Sequence, residues 1–166
     1  MPDKDVSTGE ILIVEDTMTQ MLILESLLSE HGYNVSSVES GAEALEFCRN
    51  RAAIPILSDV NMPGMSGYAL CRAMKSDAQL AGFPFILLDS LADTSNLDKI
   101  VDCGCDGFLY KDFEEGYFIP ALAGVLKDAQ ALVRAEPGSE SARRRLALLL
   151  KAAYGAAVYC SSRPEA

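Results

Sequence analysis

The chain has 166 residues, 49% of them hydrophobic, and a formal net charge of −10. This length suits one domain with its own core, and the negative charge argues against a nucleic-acid binder, because phosphate backbones favour clustered Lys and Arg. No run of about 18 uncharged apolar residues predicts a membrane span. Five cysteines without framework spacing, and no apolar leader, favour a reducing cytoplasm.

Five short apolar runs alternate with helix-length segments along residues 10–133. Because strands that alternate with helices form parallel sheets covered on both faces, this order predicts an α/β fold. Gly32 stands where a helix C-terminal cap is expected, and Ser40 with Glu43 forms a capping box. Asp112 with Glu115 predicts the start of the last helix in the same way. The predicted strands are 11–14, 35–38, 54–57, 83–88 and 107–110.

Charged side chains follow three of the predicted strands. Glu15 and Asp16 close the first strand, Asp59 closes the third, and Lys111 closes the fifth. In an open parallel sheet the ligand crevice lies outside the carboxyl ends of the strands. A single one of these acids is typical of a solvated loop, but the set predicts a shared site for a metal ion and a phosphoryl group.

Crowded carboxylates require a cation, and Mg²⁺ prefers oxygen ligands, so Asp16 and Asp59 are candidates to bind it directly, with Mn²⁺ as the alternative ion. A carboxylate in such a site can attack an incoming phosphoryl group in line and form an aspartyl phosphate. Lys111 would then offset the charge of the phosphoryl oxygens as a compact cation.

Four segments together resemble the receiver domain of bacterial-type two-component response regulators. They are Ile-Leu-Ile-Val-Glu-Asp at 11–16, Ser-Asp-Val-Asn-Met-Pro-Gly-Met-Ser-Gly at 58–67, Phe-Pro-Phe-Ile-Leu-Leu at 83–88 and Phe-Leu-Tyr-Lys at 108–111. They follow the order and spacing of that family and cover residues 10–133. The resemblance implies a flavodoxin-like (βα)5 fold with a doubly wound parallel sheet of strand order 2-1-3-4-5.

The resemblance also implies roles for individual residues. Asp59 would be phosphorylated by a histidine kinase or a phosphotransfer protein. Asp16, Asp59 and the main-chain carbonyl of Asn61 would ligate Mg²⁺, and Glu15 would act through water. Phe108 would be the aromatic switch residue. The implied chemistry is self-phosphorylation and autodephosphorylation, so we expect no enzyme activity on other substrates.

The first departure from the family pattern is Asp89, which stands where receivers have a Thr or Ser at the end of the fourth strand. An ionised carboxylate there would repel the phosphoryl group. Three alternatives remain open: Asp89 turns away and Ser90 substitutes, Asp89 pairs with Lys111, or the usual switch is lost. An outward-pointing loop acid is a further interpretation.

Two other departures concern the last loop and helix. Asp112 follows Lys111 where the family usually has a proline in a cis peptide, so we expect a trans bond, because a cis bond without proline costs about 3 to 4 kcal/mol. Pro120 falls inside the expected last helix. A proline there kinks the helix or costs roughly 3 kcal/mol, unless the helix begins near residue 119.

Two other motifs have structural interpretations. His31, the single histidine, is expected at the surface end of the first helix, where the helix dipole favours it, rather than as a phosphotransfer residue. Cys103-Gly104-Cys105 is expected to form a turn between a helix and a strand, because it lacks a second pair of metal ligands.

The chain ends carry a different composition. Residues 1–9 are predicted to be a flexible tail, 134–141 a linker, 142–160 a helical extension and 161–166 a flexible end. Residues 134–166 carry a net charge of +3 and residues 1–133 carry −13. The extension is interpreted as a helix that packs on the domain or in a homodimer, as a docking helix for a partner, or as the connector to a further output domain.

The leading hypothesis is therefore a phosphorelay receiver that signals to a downstream protein through protein contacts. Asp89 and Asp112 motivate a second one, a degenerate receiver that acts as an interaction module without phosphorylation. A third is a Mg²⁺-dependent aspartyl-phosphate phosphatase. That class uses a second acid two residues after its nucleophile, and here this position is Asn61, which disfavours it.

Overall fold

The computed structural model of the protein describes residues 9–89 and 97–134. In this part of the chain five strands and five helices alternate. The strands are β1 Glu10–Val14, β2 Asn34–Val38, β3 Ile56–Asp59, β4 Phe85–Asp89 and β5 Gly107–Tyr110. The helices are α1 Met18–Glu30, α2 Gly41–Cys48, α3 Gly67–Lys75, α4 Leu97–Cys103 and α5 Glu115–Arg134.

All strand pairs are parallel, and the order in the sheet is β2-β1-β3-β4-β5. The predicted flavodoxin-like fold and strand order are confirmed. Order reverses between β1 and β3, so Glu15 and Asp59 follow neighbouring strands at the same edge of the sheet, where doubly wound folds place their ligand crevice.

Prolines set the starts of β3 and β4. Both strands begin two residues later than predicted, directly after Pro55 and Pro84. A proline has no N–H to donate to a sheet ladder, and these two only accept, from Leu12 N at 3.0 Å and from Ile56 N at 2.8 Å. At its other end β3 extends through Asp59, which pairs with Leu88. Asp59 is therefore the last residue of β3, two positions beyond the predicted end of this strand.

Two apolar layers cover the sheet. Side chains of α1 and α5 pack with alternate strand residues such as Ile13, Leu57 and Leu109 on one face. Side chains of α2, α3 and α4 pack with the intervening residues, among them Val14 and Leu87, on the other face. The strands are nearly free of exposed residues because both faces are covered, as expected for a parallel sheet.

The helix ends test three sequence predictions. Gly32 has φ +86° and caps α1 with N–H bonds from Gly32 to Ser29 and from Tyr33 to Leu28, as predicted. Ser40 accepts from Glu43 N at 3.2 Å, which confirms the capping residue of α2. The predicted start of α5 is wrong. Asp112 accepts from Glu114 N at 3.1 Å, and the helix begins at Glu115.

The loop before α5 and the helix itself settle the other two departures. The bond between Lys111 and Asp112 is trans, because the described residues contain no cis peptide. Pro120 lies inside α5, so the alternative that the helix begins near residue 119 is wrong. Pro120 has no N–H to donate to the carbonyl of Gly116, the residue four positions earlier. Both residues are exposed, so water can bind this carbonyl.

The smaller motifs behave as expected. His31 is the C-terminal cap residue of α1, and its Nδ1 lies 2.9 Å from Leu27 O. Gly104, with φ +81°, turns the chain between α4 and β5, and the flanking Cys103 and Cys105 are buried. The turn interpretation is confirmed.

Other predictions fall partly or wholly outside the described residues. These are the flexible tail at 1–8, Ser90, the linker beyond Arg134, the helical extension at 142–160 and the end at 161–166. The domain's last helix reaches Arg134, one residue beyond the predicted boundary. Among the helices that the structure describes, none is long and apolar enough to cross a membrane.

Candidate functional site

The carboxyl edge of the sheet brings together the charged residues that follow β1, β3 and β5. Carboxylate oxygens of Glu15, Asp16 and Asp59 lie within 4.8 Å of one another. Lys111 Nζ lies 2.8 Å from Glu15 Oε2 and 3.0 Å from Asp59 Oδ1. The site therefore joins residues up to 96 positions apart in sequence, with three carboxylates for one ammonium group.

Burial strengthens the interactions between the charged groups of this site. Glu15 is fully buried, and Asp59 is 8% exposed, whereas Asp16 is exposed. Burial raises the pKa of Glu15 above its ordinary value, and the negative charge of Asp59 acts in the same direction, while the hydrogen bond from Lys111 opposes both. The excess negative charge makes the edge a favourable place for a cation.

A close turn fixes the backbone around Asp59. Gly67 N donates to Val60 O at 2.9 Å, and a Cβ built on Gly67 would lie only 2.3 Å from Asp59 O. Only glycine permits this approach, because any side chain would collide with the strand. Ser58 Oγ also donates to Asp59 O at 3.0 Å. The carboxylate of Asp59 is thus presented from a rigid strand end.

Two contacts in the site were not expected from the sequence. Lys111 Nζ donates to Gln20 Oε1 in the first turn of α1, and Thr17 N donates to Glu15 Oε1 at 3.2 Å. Gln20 is an uncharged residue inside a helix, and no motif marks it. The three contacts of Lys111 leave its ammonium directed at the acids, as a counter-charge requires.

Asp89 lies at the end of β4, in register with Tyr110. It is 3% exposed, so the interpretation as an outward-pointing loop acid is wrong. Alternate residues of a strand share a face. Asp89 therefore lies on the side of Leu87, toward α2, α3 and α4, whereas Asp59 lies on the side of Leu57, toward α1 and α5.

Asp89 has an electrostatic neighbour in Tyr110. Burial raises the pKa of the Tyr110 phenol, and the carboxylate of Asp89 adds to this shift. Phe108, the other aromatic residue of β5, is 4% exposed and meets Tyr110 edge-on with ring centroids 6.4 Å apart. Ser90 lies outside the described residues, and Asn61 is exposed in the loop after β3.

Comparisons with known proteins agree with this geometry. The sequence-family model of the response regulator receiver domain matches residues 11–123 of this chain. The chain is 30% identical over 122 residues to the polar-differentiation response regulator DivK of Brucella ovis, which covers 74% of this chain and 99% of that protein.

Solved structures show the same fold. The receiver domain of a signal transduction histidine kinase from Syntrophus aciditrophicus is similar with 38% identity and a TM-score of 0.64, over 78% of this chain and 96% of that one. A sensor histidine kinase receiver from Pseudomonas aeruginosa, with a magnesium ion coordinated in its active site cleft, has 25% identity and a TM-score of 0.63, over 74% and 97%. The chain therefore belongs to the response regulator receiver domain family of two-component signalling.

Proposed function

We propose that the protein is a phosphorelay receiver whose phosphoacceptor is Asp59. A histidine kinase or a phosphotransfer protein in the cytoplasm would supply the phosphoryl group, and the phosphorylated domain would signal by contacting a downstream protein or output domain. The observation that carries this proposal is the 3.0 Å contact between Lys111 Nζ and Asp59 Oδ1, inside a cluster of three carboxylates.

The residues present fit a magnesium ion. Mg²⁺ takes carboxylate and carbonyl oxygens together with waters, and oxygens of three carboxylates lie here within 4.8 Å of one another. Asp16 and Asp59 would bind the ion with the main-chain carbonyl of Asn61, and Glu15 would act through water. When bound, the ion supplies positive charge to the oxygens of the transferred phosphoryl group.

The chain's own residues would perform the transfer as follows. A carboxylate oxygen of Asp59 attacks phosphorus, and the bond from phosphorus to the donor's imidazole nitrogen breaks. The electron pair stays on that nitrogen, and because the donor ring carries a proton on its other nitrogen, it leaves as neutral imidazole. Lys111 offsets the charge of the phosphoryl oxygens, and the buried strand end keeps the attacking carboxylate in line. We propose no turnover of other substrates.

The test is intact-mass analysis after incubation with Mg²⁺ and a small acyl phosphate, in which an oxygen of the carboxylic acid is the leaving atom. The native chain is expected to gain one phosphoryl group, and Asp59→Asn is expected to gain none. Asp112→Asn is the matched control, because Asp112 is an exposed acid beside Lys111 and should not change the labelling. A phosphoryl group retained in Asp59→Asn would overturn the proposal.

The buried Asp89 favours a second candidate, a receiver that acts as an interaction module without phosphorylation. Asp89 is 3% exposed and stands where the family has a hydroxyl donor, and an ionised carboxylate cannot donate a hydrogen bond to a phosphoryl oxygen. This candidate predicts that the folded native chain is not labelled and that Asp89→Thr is. Equal labelling of the native chain and Asp89→Thr would exclude an effect of Asp89 on the reaction.

A further inference from the structure

One face of α1 exposes an unusual amount of apolar surface. Four large apolar side chains are exposed in the described part of the chain, and three of them are on this helix. Met18, Leu22 and Ile23 are 56%, 55% and 43% exposed. Met18 and Leu22 are one turn apart, and Ile23 is adjacent, so they form one patch. We refer to these three residues as the α1 patch.

The same side of α1 becomes negative toward the end of the helix. Residues seven apart are about two turns apart and share one side of a helix, so Glu25 follows Met18 and Glu30 follows Ile23 on this side. Glu30 is exposed, whereas Glu25 is half-buried and accepts from Ser37 Oγ. The last turn of α1 carries no basic residue, although the C-terminal end of a helix has the negative pole of its dipole. This end of α1 therefore favours a cationic partner.

The segment at 143–150 has basic and apolar residues that complement the acidic end and the apolar patch of α1. It reads Arg-Arg-Arg-Leu-Ala-Leu-Leu-Leu, three basic residues followed by five apolar ones. It belongs to the part of the chain with net charge +3, opposite in sign to the domain. Basic residues attract an exposed glutamate and a helix C-terminus, and leucines bury apolar surface.

The chain leaves α5 near the acidic end of α1, which matches the position of the arginines before the leucines. Helices α1 and α5 pack on the same face of the sheet, and each follows a strand, so both begin at the carboxyl edge and end at the amino edge. The chain leaves α5 at Arg134, at the edge of the sheet where α1 ends with Glu30. From there the arginines would meet Glu30 first, and the leucines would reach the α1 patch.

The connecting length is sufficient. Nine residue steps separate Arg134 from Arg143, and an extended chain covers about 30 Å in that distance. Helix α1 has 13 residues and is about 20 Å long. The segment can therefore reach any part of the exposed side of α1.

We propose that residues 143–150 dock on the exposed side of α1 within the same chain, with the arginines at Glu30 and the leucines on the α1 patch. Met18 is two residues after Asp16, and Gln20 in the same turn contacts Lys111. The α1 patch therefore begins beside the carboxylate cluster.

The experiment is a charge swap in the full chain, read by amide chemical shifts in nuclear magnetic resonance spectra. The triple variant Arg143→Glu, Arg144→Glu and Arg145→Glu should shift the amides of Leu22 and Ile23. Adding Glu30→Arg to the triple variant should return these amides toward their native positions. Amides of α3, on the opposite face of the sheet, should stay unchanged in all variants and so report an intact fold.

A matched control uses another helix. Asp102 is also an exposed acid in the last turn of its helix, but it lies on α4, on the opposite face of the sheet. Asp102→Arg added to the triple variant should therefore not restore the α1 shifts. Unchanged Leu22 and Ile23 amides in the triple variant, or equal restoration by Asp102→Arg, would overturn the proposal. A dependence of the native shifts on protein concentration would also overturn it, because the occupant would then be the segment of a second copy.

Discussion

Two lysine–carboxylate groups lie at opposite edges of the same sheet, and they differ in charge balance. At the amino edge, Lys75 Nζ donates to Ala81 O and Phe83 O at 3.1 Å and to Asp106 Oδ2 at 2.6 Å. Asp106 Oδ2 also accepts from Phe85 N at 2.9 Å. One cation meets one anion, and backbone groups occupy the other bonds of the ammonium.

At the carboxyl edge, Lys111 contacts two carboxylates, those of Glu15 and Asp59, and a third, that of Asp16, lies within 4.8 Å of them. Lys75 and Lys111 both contact residues that are distant in sequence, but only at Lys111 does negative charge remain uncompensated. A balanced, half-buried pair such as Lys75 and Asp106 mainly fixes structure, whereas excess charge in a cleft is typical of a binding site. The charge balance, rather than the presence of an ion pair, separates the structural edge from the functional one.

The largest expected effect comes from breaking the balanced pair. Asp106→Ala leaves Lys75 without its carboxylate and Phe85 N without its acceptor, so the free energy of unfolding should fall by about 3 kcal/mol. Urea unfolding measures this change. Asp102→Ala, an exposed acid on α4, is the control and should change stability by less than about 0.5 kcal/mol. Equal effects would contradict the structural role of Asp106.

Magnesium should act at the carboxyl edge alone. A ligand that binds the folded state at one hundred times its dissociation constant stabilises it by about 2.7 kcal/mol. We expect Mg²⁺ to raise the thermal midpoint of the native protein, and a chelator to reverse the rise. Asp106→Ala should keep this gain, and Asp16→Asn should lose most of it. A gain of the same size in both variants would contradict a site that uses Asp16.

The pH dependence of stability should also differ between the native protein and Glu15→Gln. Burial raises the pKa of Glu15 above its ordinary value of 4.5, so the folded state holds this proton after the unfolded chain has lost it. The stability contributed by Glu15 is therefore greatest below pH 4.5 and falls as pH rises through the folded-state pKa.

Urea unfolding of the native protein and of Glu15→Gln is measured across this pH range. The difference between their free energies of unfolding gives the contribution of Glu15 to stability. Mg²⁺ should reduce the loss of stability at high pH, because a nearby cation favours the ionised carboxylate. A contribution of Glu15 that grows with rising pH would mean that Lys111, and not burial, controls this carboxyl group.

The smallest effect on stability is expected when the repulsion between Asp16 and the neighbouring carboxylates is removed. Without metal, Asp16→Asn should raise the free energy of unfolding by less than about 1 kcal/mol, because it removes one charge from the carboxylate cluster while water screens the rest. Asp112→Asn, exposed and outside the cluster, should give no gain in the same urea titration. A loss of stability in Asp16→Asn would show that Asp16 is paired rather than repelled.

The sequence by itself determined the element order and the residues that meet at the carboxyl edge, and its resemblance to receiver domains implied the strand order. Apolar runs and capping residues act over a few positions, and the doubly wound topology gathers strand ends at one edge. Glu15, Asp59 and Lys111 could therefore be predicted as neighbours, and so could the capping role of Ser40.

Tertiary structure alone decided which of those residues are buried and what else they contact. The contacts of Lys111 with Gln20 and of Lys75 with Asp106, and the burial of Asp89, depend on how helices pack on the sheet, and no local pattern records that packing. Electrostatic strength depends on removal from water. The sequence could thus name Glu15, Asp16, Asp59 and Lys111. Only the packed domain decided that Lys111 lies beside an excess of negative charge, and that Lys75, which no motif marked, is balanced by Asp106.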